Sequence, residues 1–165
     1  MQALIHRPVA VLVVGLMLAA TSLAAQARRP TAEVATRVDT KAIHPGVVVR
    51  LVAHVRLPAG IHVQSNKPRD PDLIPTELAV TLPKGMTLTD VVYPKPSDLA
   101  VPGFKQPLAV YPNEFDIVVR VKLDPRTPPG ALTLPATLRY QACNDSVCFA
   151  PARASLTWTM QVTRS

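Results

Sequence analysis

The chain has 165 residues, of which 48% are hydrophobic, 18% charged and 4% aromatic, with 18 prolines, 6 glycines, 2 cysteines and a formal net charge of +7. This length suits one domain, and the apolar fraction excludes a disordered chain. Prolines recur along the whole sequence and exclude long helices, while two cysteines cannot build a disulfide-dense scaffold, which leaves an all-β domain of short strands.

Residues 1–27 read as a secretory signal peptide. His6 and Arg7 give a weakly basic start, residues 9–20 are a continuous apolar run, and Ala25-Gln26-Ala27 supplies the small-x-small pattern of a cleavage site. The apolar run is about twelve residues, short of the roughly 20 that span a bilayer, so no stable membrane insertion is expected after cleavage. No cysteine follows it to carry a lipid. The expected mature domain is residues 28–165, exported to an oxidising compartment.

Within that domain, residues 33–40 are a weak strand candidate and residues 46–57 a clear one. Val47, Val49, Leu51, Ala53, Val55 and Leu57 alternate with Arg50, His54 and Arg56, the period of two expected of a half-buried strand. Further short runs follow at 61–65, 76–82, 86–93, 114–123, 131–140 and 155–162. Pro58-Ala59-Gly60, Pro83-Lys84-Gly85 and residues 125–130 punctuate them as turns. Seven or eight such strands predict an immunoglobulin-like β-sandwich. The longest stretch without a strand is 94–107, which contains Phe104; loops of that length are often functional. Apart from Arg28-Arg29, the basic residues are scattered singly (Arg37, Arg50, Arg56, Lys84, Lys95, Arg120), with no basic stripe for nucleic acid.

Cys143 and Cys148 lie in residues 140–151, YQACNDSVCFAP. On a straight strand they would be roughly 16 Å apart, beyond disulfide reach, so pairing requires a turn, and Asn144-Asp145-Ser146 is a good turn former. A bond closing so small a ring adds about 2 kcal/mol in the loop-entropy model. A pair near the surface is also open to thiol–disulfide exchange. Two thiolates fall short of a structural zinc site, and His44, His54 and His62 lack ligand-like spacing to them. Spacing alone leaves redox-active, structural and metal-binding readings open.

The segment YQACNDSVCFAP resembles the active-site segment of the N-terminal periplasmic domain of the thiol:disulfide interchange protein DsbD. Residues 60–68 (GIHVQSNKP), Tyr93-Pro94 and residues 108–111 (LAVY) are similar to that family's flanking runs. The resemblance implies an immunoglobulin-like fold whose cysteines shuttle between dithiol and disulfide without a cofactor. In the family, electrons arrive from a thioredoxin-like domain and pass to exported thiol proteins. The resemblance maps the attacking cysteine to Cys148 and the resolving one to Cys143. It makes Phe104 the candidate aromatic of a cap loop that shields the pair.

Tyr140 and Gln141 are expected to position the cysteine loop, unless Tyr140 is core. Asp145 is a local base, a like charge that raises a thiol pKa, or a turn residue capping its own backbone. His62 falls near where family members carry aromatic residues beside the cysteines, and is otherwise a plain surface histidine. Four residues separate the cysteines, one fewer than in the family's best-known member. No transmembrane segment or thioredoxin-like domain follows residue 165, so the expectation is a stand-alone periplasmic domain served by a separate reductant. The competing expectation is a non-catalytic secreted β-sandwich, a binding or interaction module with a structural disulfide.

Overall fold

The computed structural model describes residues 29–164, so the signal peptide expected over 1–27 lies outside the described residues. Eleven strands form among them, and no helix: β1 Glu33–Val38, β2 Val48–Arg56, β3 His62–Gln64, β4 Glu77–Val80, β5 Met86–Val92, β6 Ser97–Leu99, β7 Leu108–Tyr111, β8 Glu114–Leu123, β9 Gly130–Tyr140, β10 Ala142–Cys143 and β11 Ala152–Val162. They make three antiparallel sheets, in the orders β1-β2-β8-β5, β11-β9-β4 and β10-β3-β7-β6.

Alternation decides which faces meet. In β2, Val49, Leu51, Ala53 and Val55 are at most 1% exposed, and they pair in register with Val121, Val119, Ile117 and Phe115 of β8. β9 contributes Leu134, Ala136, Leu138 and Tyr140 to the same core; β11 contributes Leu156, Trp158, Met160 and Val162. Each fully buried side chain of this size stabilises the fold by about 1.5–3 kcal/mol. The two layers therefore close as an immunoglobulin-like β-sandwich. Trp158 also ties them together, because its Nε1 donates to the Val52 carbonyl at 2.9 Å.

Pro135 sits inside β9, where a missing N–H would ordinarily break a ladder. The N–H and C=O of one strand residue point to the same side. The Pro135 carbonyl accepts from Thr81 N at 2.9 Å, on the side where β4 has just ended at Val80. The absent donor thus faces no strand. At the turns, Gly60 and Gly85 take φ of 74° and 81°, the left-handed region that residues with a Cβ rarely enter.

The sequence pattern predicts seven or eight strands, and three more are present. β6 lies inside the 94–107 stretch expected to be a loop, and pairs with β7. β10 is a two-residue strand within the cysteine segment. β7 is buried at all four positions, so it carries no alternation to read. β6 and β10, with three and two residues, are too short for a period of two to show.

The outer face of the first sheet carries charge. His54 stands opposite Asp116, with Nδ1 at 2.8 Å from Asp116 and Nε2 at 3.1 Å from Glu114. Arg37 joins Asp116 at 3.1 Å, Arg50 pairs with Asp39, Arg56 with Glu114, and Arg120 with Asp90. Four of the singly scattered basic residues are therefore neutralised by cross-strand acids.

Partial burial pushes the Asp116 carboxyl up, but hydrogen bonds from His54 and Arg37 outweigh this and hold it below the usual range. A depressed carboxylate stabilises the fold above its unfolded pKa, and that contribution is lost as pH falls through the folded value. Both sides of the Arg37–Asp116 pair are more than a third exposed, so the contribution is at most about 1 kcal/mol. Asp116→Asn is expected to lower stability to urea at neutral pH by that amount, and to approach the parent chain once the pH has fallen through the lowered pKa of the folded carboxyl. Equilibrium unfolding at neutral and at acid pH checks both statements.

Candidate functional site

β9 pairs with β11 as far as Tyr140, which stands opposite Ala152. The Tyr140 ring is 2% exposed in the core, and its hydroxyl accepts a hydrogen bond from Ala32 N at 2.7 Å. One residue later the chain changes sheet. Gln141 is followed by β10, which pairs with β3 so that Ala142 faces Val63 and Cys143 faces His62.

The turn after β10 is held by Asn144. Its Oδ1 accepts from Ser146 N at 2.9 Å and Val147 N at 2.8 Å, the Asx geometry that Asn favours. Asn144 N donates to the Val147 carbonyl at 3.0 Å, and Phe149 N to the Ala142 carbonyl at 2.8 Å. Gln141 Nε2 closes the base by donating to the Phe149 carbonyl at 3.0 Å. The result brings the two cysteine Cα atoms to 4.0 Å, and Cys143 and Cys148 are disulfide-bonded.

The two sulfur-bearing residues differ sharply in access. Cys143 is 1% exposed, whereas Cys148 is exposed. Beside it, Val147 leaves 53% of its surface in solvent at the tip of the turn. Asp145 is exposed on the same turn.

The face of the small sheet that holds Cys143 can be followed strand by strand, because alternate residues share a face. His62 and Gln64 lie on it, with Val110 and Leu108 of β7 beyond. Val63, Ala142 and Tyr111 point the other way, into the main core. Gln64 is 0% exposed, and its side-chain amide finds no hydrogen-bond partner among the described residues. His62 is half-buried. Burial lowers its pKa, and the negative charge of Asp145 opposes that by raising it.

The structure thus brings Cys143, Cys148, Gln141, Asp145 and His62 together. Gln141 hydrogen-bonds across the base of the turn. Tyr140 belongs to the core. The capping expected of Asp145 is performed by Asn144, whose side chain is one position closer to the strand end and reaches both amides.

Phe104 is 39% exposed and lines a cleft of about 380 Å³ with Arg69, Asp70, Pro71, Lys105, Gln106 and Leu108, which neither cysteine lines. The segment around it is tied down by Arg69, which donates to the Pro107 carbonyl at 2.5 Å and pairs with Asp98. Gln64 and Arg69 carry no local sequence signal, since their placement follows from tertiary packing alone. Among the described residues no group of three or more His, Cys, Asp or Glu is arranged to hold a metal.

No curated protein matches the sequence. Among solved structures, the N-terminal periplasmic domain of ScsB from Proteus mirabilis shares the fold with a TM-score of 0.50 and 19% identity, covering 76% of this chain and 45% of that one. The present chain therefore spans less than half the length of that structure. The N-terminal domain of Neisseria meningitidis DsbD, in the reduced form, aligns with a TM-score of 0.43 and 15% identity over 79% of this chain and 90% of that one. The family model described as thiol:disulfide interchange protein DsbD, N-terminal, matches residues 29–159, which include both cysteines and every strand but the end of the last. The chain belongs to the family of DsbD N-terminal domains.

Proposed function

We propose that this domain exchanges electrons with exported thioredoxin-like proteins through Cys143 and Cys148, without a cofactor, as a protein-disulfide reductase does. A partner thiolate attacks the Cys148 sulfur, and the electron pair of the broken S–S bond goes to Cys143. The partner's second thiolate then attacks the mixed disulfide at the partner's own sulfur and releases Cys148. The partner leaves oxidised, and the domain holds two thiols. Passing the electrons onward reverses the order: the Cys148 thiolate attacks an oxidised partner, and Cys143 resolves the mixed disulfide.

The observation that carries this reading is the unequal access of the two cysteines, one exposed and one buried. Attack needs an open sulfur in line with the bond it breaks, and a resolving thiol is best kept from other partners. The disulfide is also a weak reason to be a staple. Its ring contributes about 2 kcal/mol in the loop-entropy model, and the Asn144 hydrogen bonds already hold the turn. A periplasmic setting fits the leader pattern at residues 1–27 and the periplasmic origin of the ScsB domain that shares this fold.

The Phe104 loop is assigned to shielding. What supports this is its place against Leu108, on the same sheet face as Cys143. Arg69 keeps it there.

With Cys143→Ser, Cys148 is expected to accumulate mixed disulfides with exported thioredoxin-like proteins, while Cys148→Ser accumulates none; mass spectrometry of trapped adducts reads both. Trapping on Cys143 alone reverses the roles. Equilibration of the pair in dithiothreitol or glutathione buffers is expected to give a potential above about −300 mV. A value well below that makes the disulfide a staple in a binding module. Phe104→Ala is expected to speed oxidation of the reduced pair by small oxidants, as followed by thiol alkylation. An unchanged rate removes the shielding role.

A further inference from the structure

The exchange just proposed releases a thiolate at Cys143, where water has little access, and a group must neutralise it. Cys143 and His62 are directly opposed in the antiparallel ladder. Such residues point to one face with Cβ atoms about 4.5–5.5 Å apart. The neighbouring sheet position, Val110, is apolar and buried, and so is Leu108. The only ionisable side chain that the register sets against the leaving sulfur is therefore His62.

The other histidines in the described residues are committed. His54 lies between Asp116 and Glu114, and His44 contacts the Thr163 side chain and carbonyl. The His62 ring makes no hydrogen bond with another described residue, which leaves its nitrogens free to exchange a proton.

The surroundings of the ring carry one formal charge. Asp145 stands in the turn between the cysteines, and its field favours the protonated ring. From β10 and the rest of the turn come Ala142, Asn144, Ser146 and Val147, all uncharged. From β7 come Val110 and Tyr111; the tyrosine faces the main core and is neutral near pH 7.

We propose that His62 is the proton-transfer residue of the exchange, giving its proton to the Cys143 sulfur as that sulfur leaves and taking it back when Cys143 resolves a mixed disulfide. This deepens the exchange reading and rests on it. In the first direction, the partner thiolate's electron pair forms the bond to Cys148. The Cys143–Cys148 pair moves onto Cys143, and the His62 proton follows it, leaving a thiol and a neutral imidazole. In the second, neutral His62 removes the Cys143 proton, and the thiolate attacks Cys148, displacing the partner thiolate. Asp145 is the positioning charge that partly offsets the cost of burying the imidazolium.

The test is the rate at which dithiothreitol reduces the oxidised domain between about pH 4.5 and 8, divided by the dithiothreitol thiolate fraction at each pH. General acid assistance is commonly worth about a hundredfold or more, so the corrected rate should fall at least about tenfold as the imidazolium deprotonates. Because burial lowers the His62 pKa, the inflection should lie below about 6.5. H62Q is expected to lose the inflection and to run at the alkaline rate throughout. Asp145→Asn is expected to move the inflection to lower pH.

Persistence of the parent inflection in H62Q overturns the proposal. So does an Asp145→Asn inflection that stays in place, which also decides the matter should H62Q fail to fold, since Asp145 is exposed. A parent domain reduced readily with no inflection overturns this inference alone. A parent disulfide that resists dithiothreitol at every pH overturns the exchange reading, and the His62 role falls with it.

Discussion

Tyr140 is held twice, by a ring packed in the core and by a hydroxyl bonded to the Ala32 amide. Both holds fix the last residue of β9, and the cysteine segment starts from there. If Tyr140 shifted, Gln141 could not make its change of sheet in a single residue, and Cys143 would lose its place opposite His62. The register matters more than the position, because a slip of one residue turns every side chain to the other face. Cys143 would then point into the main core among Val63 and Tyr111, where its sulfur could not meet a partner on Cys148. A core tyrosine thus sets the register of the cysteine turn.

The long strands were legible because a single physical pattern governs each of them. β8 and β11 alternate between core and solvent, and β2 does so apart from the buried Val52, so residues 46–57, 114–123 and 155–162 could be read from polarity alone. Of the small sheet only β3 was legible, within the run 61–65. β7 is buried on both faces, β6 has three residues and β10 two, so no alternation has room to develop. The need for a turn between the cysteines followed from chain dimensions, and Asn144 was named within it. That Asn144 rather than Asp145 makes the cap depends on which side chain reaches two amides at once, which spacing does not reveal. The pairing of His62 with Cys143 joins segments some eighty positions apart, and only tertiary register brings it about.

Charge is divided between the two ends of the function. On the outer face of the first sheet, cations are matched by acids, so the formal charge of +7 does not gather into a stripe there. Within residues 140–151 Asp145 is the one formally charged residue, and Arg29 donates to the Pro151 carbonyl at 3.4 Å. Val147 and Cys148 offer a small apolar and sulfur surface, with Asp145 as its one formal charge. A partner approaching that turn meets little electrostatic steering and much backbone.

The loop carrying Phe104 has no core of its own, and its order depends on Arg69. That guanidinium reaches the Pro107 carbonyl and Asp98, while Gln106 returns a bond to the Arg69 carbonyl at 3.4 Å. Arg69 lies a few residues beyond Gln64, on the segment that leaves β3. Asn66 anchors that segment to the core, since Tyr111 donates to its Oδ1 at 2.6 Å. The strand bearing His62 and the loop bearing Phe104 are therefore fastened to one another through a short, polar, solvent-facing clasp. Between them lies Gln64, fully buried, whose side-chain amide finds no partner among the described residues.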